Sequence, residues 1–194
     1  MRRLPAIIAM LALFAIAGSL AAQADALLAQ ASGHYRIEPA KSRIGFFVGQ
    51  VGGGGIRGTF SDFSGHFEIN GRDISRSKVE INIVPASVTT GNKRVENFLR
   101  GRAVLDAKRN PEIVFRSTKV TRTGPQSAVL EGLLTARGQE KPAIFKIELV
   151  KRTGRHIVFH VTGNLRRSAY DMQIGYPIYS NFVKFDMMLT ARRL

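Results

Sequence analysis

The chain has 194 residues, with 29 Lys or Arg against 14 Asp or Glu, a formal net charge of +15, and no cysteine. That length suits about one domain, and the missing thiols exclude disulfides, thiol redox chemistry and thiolate metal sites. The basic balance fits anionic partners or simply a solvated surface; Lys and Arg are scattered, and no aromatic-basic RRM strand occurs, so nucleic acid is not an expected partner.

Met1-Arg2-Arg3 followed by the apolar run Ile7 to Leu20 reads as a signal peptide over residues 1–24, cleaved after Ala22-Gln23-Ala24. An uncleaved anchor is the alternative. Export places residues 25–194, read as one domain, in the periplasm; a lipoprotein anchor is excluded because it needs a cysteine.

Tyr35-Arg36-Ile37 begins the strands, before a turn at Pro39. Ile44, Phe46 and Val48 then alternate with Gly45, Phe47 and Gly49. The run Gly52 to Gly55 lacks a following Gly-Lys-Ser/Thr, so it reads as a hairpin connection rather than a phosphate loop. Phe63, Gly65, Phe67 and Ile69 share a face, and Asn70-Gly71 predicts a two-residue hairpin turn. Val79, Ile81 and Ile83 alternate with Lys78, Glu80 and Asn82, which predicts a strand with one wet face.

Between Asn92 and Leu105 the period changes. Val95, Phe98, Leu99 and Arg102 fall at helical spacing, capped by Asn92 or Thr90. Extended structure resumes from Glu112 to Arg122. Ser127 to Glu131 predicts a strand, Gly132 to Pro142 a turn region with Gly138 at positive φ, and Pro142 the first residue of the next strand. Ala143, Phe145, Ile147 and Leu149 share a face, as do Ile157, Phe159 and Val161, and finally Val183, Phe185, Met187 and Leu189.

At least eight short alternating strands predict an all-β fold, a closed antiparallel barrel or a sandwich. An eight-stranded barrel is either filled by its own side chains or holds one slender ligand. The pattern does not choose between them.

Residues for chemistry are few. His156 and His160 share a strand face about 13 Å apart, too far to ligate one metal. Ser87, Ser168 and Ser180 sit in no nucleophile elbow, and Asp106 and Glu96 read as members of surface ion pairs. No catalytic residue, metal site or cofactor is expected.

Several spaced segments resemble the YceI-like family of secreted, lipocalin-like proteins. They are Tyr35 to Pro39 with Ser42 to Phe46; Gly58-Thr59-Phe60 with Phe63-Ser64-Gly65; and Ala86 to Gly91. Val95 to Gly101, Leu105-Asp106-Ala107 and Asn110 to Ser117 follow. Gly132-Leu133-Leu134-Thr135-Ala136-Arg137-Gly138 with Lys141-Pro142 fits the family's Gly-x-Leu-Thr-x-Arg-Gly pattern. Arg167-Ser168-Ala169-Tyr170 and Ser180 to Val183 complete the match across the chain. Lys41, Phe98 and Asp171 depart from it, the first two standing where many members have His, the third where Gly is common.

The resemblance implies an extended eight-stranded antiparallel lipocalin-like barrel with a short helical segment around an elongated apolar pore. It also implies a cofactor-free binding or carrier role toward polyisoprenoids, isoprenoid quinones or their precursors, or fatty amides. Homodimers fit the family as well.

On that reading the inward faces supply the ligand-binding residues. They are Phe46 and Val48; Phe67, Val79, Ile81 and Ile83; and Phe115, Leu130, Phe145 and Ile147. Phe98 and Leu99 close one end. Lys93, Arg94, Arg100 and Arg167 are the candidates for a polar head group. Two other functions remain open: a module whose basic face makes transient contact with an anionic membrane surface or a respiratory partner, or a lipid-modifying enzyme using His66, His156 or Ser168.

Overall fold

The computed structural model describes residues 30–194, and the expected signal peptide lies outside them. Eleven strands form one antiparallel sheet: β1 (Gly33–Ile37), β2 (Arg43–Gly49), β3 (Gly55–Phe60), β4 (Phe63–Ile69), β5 (Lys78–Ile83), β6 (Val88–Thr89), β7 (Ile113–Arg122), β8 (Ser127–Ala136), β9 (Gln139–Thr153), β10 (His156–Arg166) and β11 (Phe182–Arg193).

Six of them are halves of longer strands. Tyr35 to Ile37 of β1 and Arg43 to Phe47 of β2 lie end to end along β11, separated by a 3₁₀ turn at Pro39–Lys41. β4 then pairs with β1 while β3 pairs with β2; β5 pairs with β4 while β6 pairs with β3. Three interrupted and five continuous strands therefore make an eight-stranded up-and-down barrel, closed where β1 meets β11. Closure pairs every strand on both sides except the two-residue β6, which bonds β3 alone.

The helical periodicity gives α1 (Lys93–Arg100). Asn92 caps it, its side-chain oxygen accepting from the Arg94 and Val95 amides at 3.0 and 3.3 Å. The helix stops at Gly101, short of Leu105. The upper end of the barrel carries α1, the segment 101–112, hairpins 50–54 and 137–138, and the long connection 167–181. The lower end carries connection 70–77 and the hairpins at 123–126 and 154–155.

Two turns differ from expectation. β8 continues to Ala136 and β9 starts at Gln139, so the turn is only Arg137-Gly138, both left-handed at φ 50 and 71. Pro142 therefore sits inside β9, opposite Leu133. The β9–β10 ladder stops at Phe145, so the amide that Pro142 lacks has no partner to lose on that side. Asn70-Gly71 is likewise no two-residue turn. Asn70 instead accepts from the Arg72 and Asp73 amides and leads into a 3₁₀ turn at Ile74–Arg76.

Candidate functional site

The barrel is hollow. A cavity of about 570 Å³ runs along its axis, within the ~300–1,000 Å³ of small-molecule sites. Its middle is walled by apolar side chains from every strand except β6, and polar residues enter near the ends: Glu68, Ser77, Arg122, Gln126 and Ser127 below, Arg94, Arg167, Tyr170 and Tyr179 above.

Phenylalanines should fill such a barrel, and glycines explain why they do not. The Phe145 ring lies over Gly163, its directly paired neighbour on β10; a Cβ there would stand 2.4 Å from the ring. Phe46 lies over its partner Gly58 in the same way, at 2.5 Å. Phe115 covers Gly132 diagonally, at 2.7 Å. Each ring is thus laid against the wall where the neighbouring strand has no side chain. Phe115, Phe145 and Phe185 continue as an edge-to-face chain, with centroids 5.1 and 6.2 Å apart, a favourable aromatic geometry.

The ten residues expected on the inner faces line this cavity, Phe46, Val48, Phe67, Val79, Ile81, Ile83, Phe115, Leu130, Phe145 and Ile147, and so do Phe98 and Leu99, expected to close one end. The four basic candidates divide. Arg94 and Arg167 line its upper part, whereas Lys93 and Arg100 do not reach it.

Local partners account for that division. Glu96, expected in a surface ion pair, is buried and accepts from the Thr90 and Gly91 amides at 3.0 and 3.2 Å. Lys93 and Arg100 pair with its carboxylate at 3.4 and 3.7 Å. Arg100 also donates to the carbonyls of Ala86 and Val88, at 2.7 and 2.6 Å. The Thr90 amide, followed by Lys93, holds the Glu96 carboxyl below its ordinary value against the opposing effect of burial.

Arg167 is buried, and its guanidinium is spread over backbone carbonyls. It donates to Ser180 at 2.8 Å, Ile174 at 3.2 Å and Tyr179 at 3.3 Å, and also to Met172. Burial lowers its pKa from the ordinary value. It acts as a clamp that draws the carbonyls of 172–180 inward and fixes their path, which leaves it poorly placed to meet a ligand phosphate. Arg137 ties the same connection to the helix side, donating to the carbonyls of Asp171 and, at 3.2 Å, Arg102.

Sequence reasoning passed over Tyr170. Its side chain is buried at the upper end, its hydroxyl has no hydrogen-bond partner among the described residues, and burial pushes its pKa up to about 12. The enzyme candidates lie elsewhere. His156 pairs with Glu38 at 3.2 Å, Ser168 accepts from the Asn181 amide group at 3.0 Å, and His66 stands on β4 between Arg36 of β1 and Glu80 of β5; none of the three lines the cavity. Among the described residues no three His, Asp or Glu side chains gather as a metal site.

The YceI-like domain model matches residues 35–191. The chain belongs to the YceI-like family. A UPF0312 protein of Photorhabdus laumondii is 33% identical over 136 residues, 69% of either chain, and one of Serratia proteamaculans is 35% identical over 107 residues, 55% of either. Among solved structures, this YceI-like barrel is similar to Burkholderia cenocepacia BcnA, with a TM-score of 0.74 at 22% identity over 79% of this chain and 98% of that one. It is also similar to a Saccharophagus degradans domain described as polyisoprenoid binding, with a TM-score of 0.67 at 13% identity over 82% of this chain and 98% of that one. At those identities the likeness concerns the fold alone.

Proposed function

We propose that this YceI-like domain is an exported binding protein that shelters the tail of a long-chain isoprenoid, or a similar amphiphile, in its barrel. The carrying observation is the axial cavity, apolar along its middle and kept open by rings lying on glycines. A polyprenyl chain in water exposes only hydrocarbon. Each methylene buried contributes about 0.8 kcal/mol, less the cost of ordering the chain. The described polyisoprenoid binding of the Saccharophagus domain supports the same ligand class.

The domain binds rather than catalyses, because the cavity walls offer packing and little polar chemistry. Export follows from the leader at residues 1–24, and the periplasm, which separates two membranes, gives such a carrier its use. The head group belongs at the upper end, where Arg94 stands at the cavity margin and Arg167 sets the loop around it.

The test is native mass spectrometry on protein purified from its own host, followed by extraction and lipid identification. A co-purified isoprenoid or other long-chain amphiphile is expected. Protein that emerges empty and takes up no prenyl quinone when offered one would end this reading.

A further inference from the structure

We infer that the apolar lip at the barrel's upper end is a docking surface for an anionic phospholipid bilayer. Val51, Ile174, Tyr176 and Ile178 are 74%, 46%, 65% and 59% exposed. They do not dangle. The Val51 amide donates to the Ile178 carbonyl at 2.9 Å, the Ser180 amide to that of Gly49 at 2.8 Å, and Gln50 bridges to Tyr179. Arg167 holds the carbonyls of Ile174, Tyr179 and Ser180 from within. With the backbone polar groups turned inward, the side chains of this zipped lip are held out into solvent.

Solitary exposed apolar residues are ordinary, whereas a fixed group on one rim marks a contact surface. Of the other exposed large apolar residues of the sheet, Phe182 of β11 stands beside the lip, while Leu133, Ile144 and Val150 stand on the β8–β9 wall with charged neighbours.

Charge selects the occupant. Just below the lip, Lys184 of β11, Phe47 of β2 and Arg57 of β3 stand in register on the outer wall, with the Arg57 guanidinium 4.2 Å from the Phe47 ring centroid. Beside them Arg166 lies 5.7 Å over the Phe182 ring. No acidic residue occurs from 42 to 61, and Asp171 is the only one from 164 to 185. Apolar tips with cations and aromatic rings a few ångströms behind match the layering of a bilayer surface, where acyl chains lie beneath anionic head groups.

The lip is continuous with the cavity, because Ile174 both projects outward and lines the cavity, as does the half-exposed Phe98 of α1. A bilayer seated here would meet the mouth of the barrel. The inference uses only the outer surface and does not depend on what the cavity holds.

The experiment is flotation of purified protein with vesicles of phosphatidylcholine alone or mixed with phosphatidylglycerol, at low and high salt. Wild type should float with the anionic vesicles and release as salt rises. The variant Val51→Ser/Tyr176→Ser/Ile178→Ser, unchanged in circular dichroism, should bind about tenfold more weakly. Arg57→Gln/Lys184→Gln should lose the preference for anionic lipid while keeping residual binding. Equal flotation of wild type and the triple variant, or none by wild type, overturns the inference. So does a wild-type dimer that the triple variant converts to monomer, since a second copy would then cover the lip. Lipid content by native mass spectrometry is read on the same samples, so loss of docking and loss of cavity binding register separately.

Discussion

The two ends of the barrel are built from opposite materials. Below, the strands reverse through Asn70-Gly71-Arg72-Asp73, Gly124-Pro125-Gln126 and Gly154-Arg155, polar turns of which the first is held by the short side chains of Asn70, Ser32 and Ser77. Above, the connections are long, apolar at their tips and held by charged side chains: buried Arg167 inside the 167–181 connection, half-buried Arg137 across to Arg102, and buried Glu96 of α1. Hairpins that only reverse a chain need no interior anchor, whereas loops that present apolar side chains to water need their backbone tied down. The difference fits the role proposed for the upper end.

Removing the clamp should erase that difference. Arg167→Met leaves four carbonyls without their donor and should cost about 3 kcal/mol. Hydrogen exchange should rise through 167–181 while amides of β5 stay protected. Arg167→Lys should not rescue it, because a single ammonium cannot fan across four acceptors. Uniform loss of protection at both ends would show that the clamp serves the whole barrel instead.

The tube joining the ends can be narrowed with one methyl group. Gly163→Ala places a Cβ where the Phe145 ring lies, driving the ring toward the axis. An overpacking cost of about 1–3 kcal/mol is expected, together with reduced uptake of a prenyl quinone. Normal uptake would mean that the rings do not govern the bore.

Acid should loosen the α1 end of the barrel. The Glu96 carboxyl titrates below its ordinary 4.5 in the folded chain, so its contribution is complete above that value and fades as pH falls toward the folded pKa. Exchange at Thr90, Gly91 and α1 should rise below pH 4.5, and Glu96→Gln should remove that pH dependence.

The smallest effects test single strained positions in the upper loops. Tyr170→Phe deletes a buried hydroxyl with no partner and should gain up to about 1 kcal/mol in thermal denaturation. Asp171 adopts φ 56, ψ 33, a left-handed conformation that suits glycine, so Asp171→Gly should gain about 1 kcal/mol. A loss from either change would reveal a partner contact at the rim.

Much of the architecture is legible along the chain. Alternation at Val79, Ile81 and Ile83, or at Ala143, Phe145 and Ile147, assigns an inward face without reference to any neighbour, because side chains on a strand change sides at every residue. Helical spacing around Phe98 and Leu99, with Asn92 ahead of it, is equally local. Where the reading went astray, the path of the neighbouring backbone decides. Pro142 is tolerated inside β9 because β10 has already left it, and Glu96 is buried because Thr90 and Gly91 fold back over it.

Strand count, inner faces and the helix thus belonged to the sequence, since each depends on residues within a few positions of one another. Whether the barrel was solid or hollow did not. That turned on Phe145 meeting Gly163, Phe46 meeting Gly58 and Phe115 meeting Gly132, pairs brought together only by strand register. An aromatic ring lies flat against a wall where the adjoining strand lacks a Cβ, and only the assembled sheet decides which residue adjoins which.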